Sequence, residues 1–151
     1  MVYKSKNYLD TYKLASKLSL LLKGGDIVLL NGDLGAGKTT FVKGFAKAIN
    51  IEETVTSPTF TLLKTYQGSN YCIVHVDAYR LDGSYFDELD DYINDENVLF
   101  IEWSNCLASQ ELIENHLSID IKYVSKNQRV FTISANGERY ENILKELNLN
   151  D

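Results

Sequence analysis

Gly32-Asp33-Leu34-Gly35-Ala36-Gly37-Lys38-Thr39 satisfies the spacing G-x-x-x-x-G-K-[ST] at every fixed position. That pattern does chemistry through its backbone first. Glycines let the chain approach a ligand closely and adopt conformations that a Cβ forbids. The N–H groups of the turn, and of a helix starting there, then converge on one anion-binding concavity. Asp33-Leu34-Gly35-Ala36-Gly37-Lys38-Thr39-Thr40 is therefore the candidate phosphate cradle. Lys38 supplies a cation for the outer phosphates, and the Thr39 hydroxyl is placed to ligate magnesium. The expected ligand is a nucleoside triphosphate with magnesium, rather than nothing at all beside an incidental lysine in a glycine turn.

Two carboxylates extend the pattern. Ile73-Val74-His75-Val76 ends in Asp77, and Val98-Leu99-Phe100-Ile101 ends in Glu102. An apolar run closed by an acid is common at strand ends and means little alone. Downstream of a phosphate loop, Asp77 is a candidate to orient magnesium or its waters. Glu102 repeats that geometry, and ligands of open α/β sheets sit at the carboxyl ends of the strands. Trp103 is the only tryptophan; packing as core and covering the nucleotide are both open to it. His75, inside a strand, reads as structural, and His116 as a surface residue.

These residues need elements to hold them. Ile27-Val28-Leu29-Leu30 predicts a buried strand before the loop, and residues 40–49 carry Phe41, Val42, Phe45, Ala48 and Ile49 at helical spacing. Upstream, residues 1–7 form an extended lead-in. Leu14, Leu18, Leu21 and Leu22 predict a helix capped by Asp10 or Thr11 and stopped by Gly24 as a C′ glycine. Thr56-Ser57-Pro58-Thr59 reads as a loop. The alternation from Phe60 to Tyr66 and the run 71–76 predict an antiparallel hairpin turned at Gly68-Ser69-Asn70. Residues 82–95 are acidic, with Tyr85, Phe86, Leu89, Tyr92 and Ile93 on one face of a short helix; a solvated surface is the ordinary meaning, a docking face the other.

Residues 98–101 predict a strand buried on both faces, as in a parallel sheet. Residues 111–115 predict the end of a short helix. Leu117, Ile119 and Ile121, then Val130 to Ala135, predict two strands forming an antiparallel extension of that sheet. Gly137 precedes a last helix with Tyr140, Ile143, Leu144 and Leu147. The fold class is α/β: a phosphate-loop NTPase-like mixed sheet flanked by helices, with residues 1–151 as a single three-layer domain.

Bulk properties narrow the function. The 151 residues carry a net charge of −6, which disfavours a domain gripping nucleic acid through a broad basic face. Cys72 and Cys106 are too few for a disulfide framework and read as reduced. No apolar run approaches a membrane span, and the first residues hold no apolar leader, so no membrane contact and a cytoplasmic location are expected.

Four stretches in order resemble one family. They are the run from Leu30 to Phe41, Thr56-Ser57-Pro58-Thr59-Phe60, His75-Val76-Asp77-Ala78-Tyr79-Arg80-Leu81, and Ile101-Glu102-Trp103. The chain resembles TsaE, the bacterial ATPase needed for threonylcarbamoyl modification of adenosine in tRNAs that read codons beginning with A. The resemblance implies ATP and Mg2+ as cofactors, Lys38 on the phosphates, and Thr39 and Glu102 as magnesium ligands. It makes Asp77 a Walker B-like acid acting on the magnesium shell or the attacking water, so that Lys38, Asp77 and Glu102 form the catalytic set. It also places Trp103 near the nucleotide and makes residues 56–59 a switch-like loop by the γ-phosphate. Tyr8 to Thr11 and Arg129 would frame the adenine. The implied partners are TsaD and TsaB, which perform the transfer while ATP hydrolysis resets them; tRNA is met only indirectly.

The arginines Arg80, Arg129 and Arg139 lie in no evident lid, which predicts slow turnover alone and faster turnover with a partner. The rivals are a small-molecule kinase, which wants a basic lid that the segment after Glu102 does not display, and a nucleotide-gated binding module. A direct tRNA binder is disfavoured by charge.

Overall fold

The apolar run before the phosphate loop is β2 (Ile27–Asn31), and it lies in the middle of a seven-stranded sheet. A strand whose first four residues are apolar and buried suits a place covered on both faces. In this computed structural model β2 is flanked in parallel by β5 (Asn97–Glu102) and β6 (His116–Tyr123). β4 (Cys72–Asp77) adds to β5, also in parallel. Three antiparallel strands complete the sheet: β3 (Leu63–Gln67) on β4, β7 (Arg129–Asn136) on β6, and β1 (Val2–Ser5) on β7. The order is β1-β7-β6-β2-β5-β4-β3. The structure describes residues 1–33, 35–58, 62–81, 87–104 and 113–147, and of Arg80 the backbone only.

Side chains alternate across the sheet and so build two cores. Val28, Leu30, Ile73, Phe100 and Ile119 face α1 (Tyr8–Leu21), α2 (Lys38–Ala48) and α4 (Glu138–Glu146). Ile27, Leu29, Val74, Val76, Leu99 and Ile101 face the other way, where Ala78 and Leu89 of the short helix α3 (Leu89–Tyr92) cover them. Phe41 and Phe45 of α2 are fully buried, with ring centroids 6.1 and 4.8 Å from that of Phe100. Aromatic anchoring of this kind fixes where the N-terminus of α2 sits. The α/β class and the mixed, helix-flanked sheet are as expected. Among the described residues no helix is long and apolar enough to cross a membrane.

The extended lead-in is borne out as β1, paired in register with β7, and four other local expectations need correction. α1 is capped by Asn7, whose Oδ1 accepts from the N–H groups of Leu9 (2.9 Å) and Asp10 (3.2 Å). Asp10 instead accepts from Lys6 N–H, and Thr11 is buried against Ser5 Oγ, so neither is free to cap. β6 belongs to the parallel core, and the antiparallel extension begins only with β7. Among the described residues the acidic segment holds just the four-residue α3; Tyr85 and Phe86 lie outside them, as do Phe60, Cys106 and residues 111 and 112 of the expected helix end, while residues 113–115 belong to no α-helix. Cys72 is a free thiol, and His116 is half-buried with Nδ1 2.9 Å from Ile113 O, not at the surface.

Gly24 is the fourth correction. α1 ends in an extended Leu22, and Gly24 is not in the left-handed conformation of a C′ glycine. Its constraint is space: a Cβ there would lie 1.7 Å from the carbonyl oxygen of Asp95. Backbone cannot step aside as a flexible side chain can. Gly24→Ala is expected to destabilise the protein by about 3 kcal/mol, read as a lowered midpoint in denaturant at unchanged slope.

Candidate functional site

The phosphate loop runs from β2 into α2. Ala36 N–H donates to Asp33 O at 2.9 Å, and the chain then reaches Gly37 at φ +117°, a value that a side chain would strain. Gly37 is the N-cap of α2 and has no side-chain capping bond, so the first amides of the helix keep their donor capacity for an anion. Gly35, Gly37, Lys38, Thr39 and Thr40 line one cavity of about 260 Å³ together with Asp77, Glu102 and Trp103. Asp33 is exposed on an adjoining recess of about 150 Å³ beside Trp103. Ala36 is buried and offers only its backbone, while Leu34 lies outside the described residues.

Asp77 and Glu102 are cross-strand partners at the carboxyl ends of β4 and β5. The two acids are buried, at 5% and 3% exposure, a costly position unless each is paired. Asp77 Oδ1 accepts from Tyr79 N–H at 3.0 Å. Glu102 Oε2 lies 2.5 Å from His75 Nε2, and its Oε1 lies 3.7 Å from Lys38 Nζ. Lys38 is buried too. Its ammonium donates to Gly32 O at 2.7 Å and sits 4.3 Å from the centroid of the Trp103 ring. Of the two readings open to Trp103, core packing is not what the structure has. The residue takes φ +58°, swings out of β5 and stacks edge-on against Tyr79, half-buried in the cleft.

The oxygen donors in the cleft are the hydroxyls of Thr39, Thr40 and Ser57 and the carboxylates of Asp77 and Glu102, the hard oxygen set that suits magnesium. Among the described residues no group of three or more His, Cys, Asp or Glu comes together as a ready-made metal cage. Magnesium does not ask for one, because it is usually held by one or two carboxylates together with substrate phosphates. The residues therefore fit that ion as part of a nucleotide complex.

Sequence reasoning missed two contacts. Arg129 Nε donates to Ala36 O at 2.6 Å, and its Nη1 donates to Ser125 O (2.6 Å) and Gln128 O (2.9 Å). The arginine thus ties the β6–β7 turn to the phosphate loop. It also lines a recess of about 200 Å³ with Tyr8, Thr11, Gly37 and Thr40, which brings the resemblance's adenine-framing residues to one place. The second is His75. Two residues before Asp77, it faces the same side of β4, and that alternation was the available signal. Of the loop 56–59, Ser57 lines the cleft, Thr56 Oγ1 accepts from Lys64 Nζ, Pro58 is buried, and Thr59 lies outside the described residues.

Similarity to known proteins agrees with this geometry. The family profile described as "Threonylcarbamoyl adenosine biosynthesis protein TsaE" matches residues 5–131. The tRNA threonylcarbamoyladenosine biosynthesis protein TsaE of Bacillus subtilis (strain 168) is 38% identical over 150 residues, 99% of this chain and 94% of the relative. The protein of that name from Aquifex aeolicus (strain VF5) is 38% identical over 122 residues, 80% of this chain and 85% of its own. The crystal structure of Bacillus subtilis YdiB superposes with a TM-score of 0.80 at 34% identity, covering 97% of this chain and 93% of that one. With a profile spanning most of its length and relatives this similar from end to end, the chain belongs to the TsaE family of threonylcarbamoyl adenosine biosynthesis proteins.

Proposed function

We propose that this protein is a magnesium-dependent ATPase that supports threonylcarbamoyl modification of tRNA, acting with the TsaD–TsaB pair. The observation that carries the reading is the register of Asp77 with Glu102, which sets both acids into the cleft that Lys38 and Thr39 line. The loop amides and the N-terminus of α2 hold the phosphates. Lys38 exchanges Gly32 O and the Trp103 face for phosphate oxygens. Thr39 and Glu102 would hold magnesium, which would supply charge stabilisation for the transferring phosphoryl group. Asp77 keeps Oδ1 on Tyr79 N–H and turns its other oxygen to the attacking water or the metal's waters. Little covalent work is asked of the protein; positioning and charge do most of it.

Among the described side chains, the two arginines Arg129 and Arg139 support slow turnover by the chain alone. Arg129 is committed to backbone carbonyls near the loop. Arg139 holds Asp26 at 2.9 Å, before the start of β2 and so at the opposite end of that strand from the loop. That bond raises the proton affinity of its guanidinium further. A partner that supplies the missing cation would accelerate the reaction, as arginine fingers do by roughly 10³-fold or more. ATP hydrolysis by the purified chain, with and without TsaD–TsaB, tests this. Stimulation by the pair is expected; phosphate appearing on a small metabolite instead would overturn the reading.

A further inference from the structure

We propose that His75 is a positioning residue for Glu102, holding one carboxylate oxygen so that the other stays available to magnesium; the inference rests on the ATPase reading above. His75 is fully buried inside β4, opposite Phe100 and diagonal to Glu102. Diagonal neighbours on one sheet face are within reach of long side chains. Nε2 meets Glu102 Oε2 at 2.5 Å, while Nδ1 is buried with no hydrogen-bond partner among the described residues. A carboxylate only accepts, so the ring's proton on that side belongs to Nε2. Buried polar groups that serve the fold alone are normally satisfied throughout. This ring makes one hydrogen bond, and it goes to a residue of the cleft.

The arrangement around Glu102 shows what the bond accomplishes. Lys38 lies only 3.7 Å from Oε1, outside hydrogen-bond range, and donates a hydrogen bond to Gly32 O. A buried ammonium and carboxylate this close gain strongly by closing to a direct ion pair. Closure would take Oε1 of Glu102 from the metal, while Lys38, with three donors, could still reach phosphate oxygens. The hydrogen bond from His75 holds Oε2 on the side of β4, which keeps the pair apart and leaves Oε1 facing the phosphate loop. In metal sites such outer partners orient the ligand, and losing one typically costs about 10- to 100-fold in metal affinity.

The test compares His75→Leu with His75→Gln in the full chain. A leucine fills the volume without a donor, whereas a glutamine amide reaches roughly where Nε2 lies. Affinity for a non-hydrolysable ATP analogue is titrated by calorimetry, in chelator and across a magnesium series. His75→Leu should raise the magnesium needed for half-maximal tightening by about tenfold or more, with affinity in chelator unchanged. His75→Gln should return the requirement close to that of the native chain. Equal shifts in the two variants, or a loss already present in chelator, would make His75 a structural residue and overturn the proposal. Failure of the native chain to hydrolyse ATP, with or without TsaD–TsaB, would sink the parent reading instead, so the two failures are distinguishable.

Discussion

Lys38→Ala should abolish ATP hydrolysis, by about 10²- to 10³-fold or more, in a protein that still folds. The ammonium lies in the cleft beside the ends of β4 and β5, 4.3 Å from Trp103 and 3.7 Å from Glu102, whereas Arg129, which also lines that cleft, is committed to backbone carbonyls. Removing it deletes the charge that would meet the outer phosphates, where charge accumulates as the bond breaks. It also leaves Glu102 with His75 alone. The fold should tolerate the loss, because β2 and α2 are fixed by Val28, Leu30, Phe41 and Phe45, all fully buried. Hydrolysis in the presence of TsaD–TsaB is the readout, with a thermal melt as the control. Hydrolysis at the native rate by the variant would remove the phosphate loop from the mechanism.

Asp77→Asn is expected to retain ATP binding and lose roughly 10²-fold or more in hydrolysis. An asparagine keeps an Oδ1 that can still accept from Tyr79 N–H, so the turn after β4 should survive. What it loses is the negative charge that, in the proposed mechanism, would act on the metal's waters or the attacking water. This variant also separates hydrolysis from simple nucleotide gating. Loss of threonylcarbamoyl modification in cells carrying only the variant would tie the pathway to turnover. Full modification with hydrolysis gone would mean that ATP occupancy alone governs docking.

The phosphate loop was legible because its chemistry is local. A strand, a glycine turn and a helix N-terminus lie within one short stretch, and each leaves its own mark in residue type and spacing. Asp77 and Glu102 were legible as strand-end acids for the same reason: an apolar run tells the reader where each strand stops. The two β6–β7 strands were visible as alternation, yet their direction relative to β2 was not, since a strand's pattern does not reveal which neighbour it meets. The helix start was misjudged where three polar residues, Asn7, Asp10 and Thr11, competed and only their partners decided among them.

By itself, then, the order of residues determined the α/β class and pointed to the candidate phosphate cradle and the two candidate acids, because periodicity and turn chemistry act over a few neighbours. Tertiary structure alone decided that Asp77 faces Glu102, that His75 reaches that glutamate across two strands, and that Arg129 closes on Ala36, 93 positions away. It also revealed Gly24 as a point of close approach to Asp95 rather than a helix stop. Each of these is a contact between segments remote in sequence, set by sheet register and by how the backbones pack, and register is a property of the pair rather than of either strand.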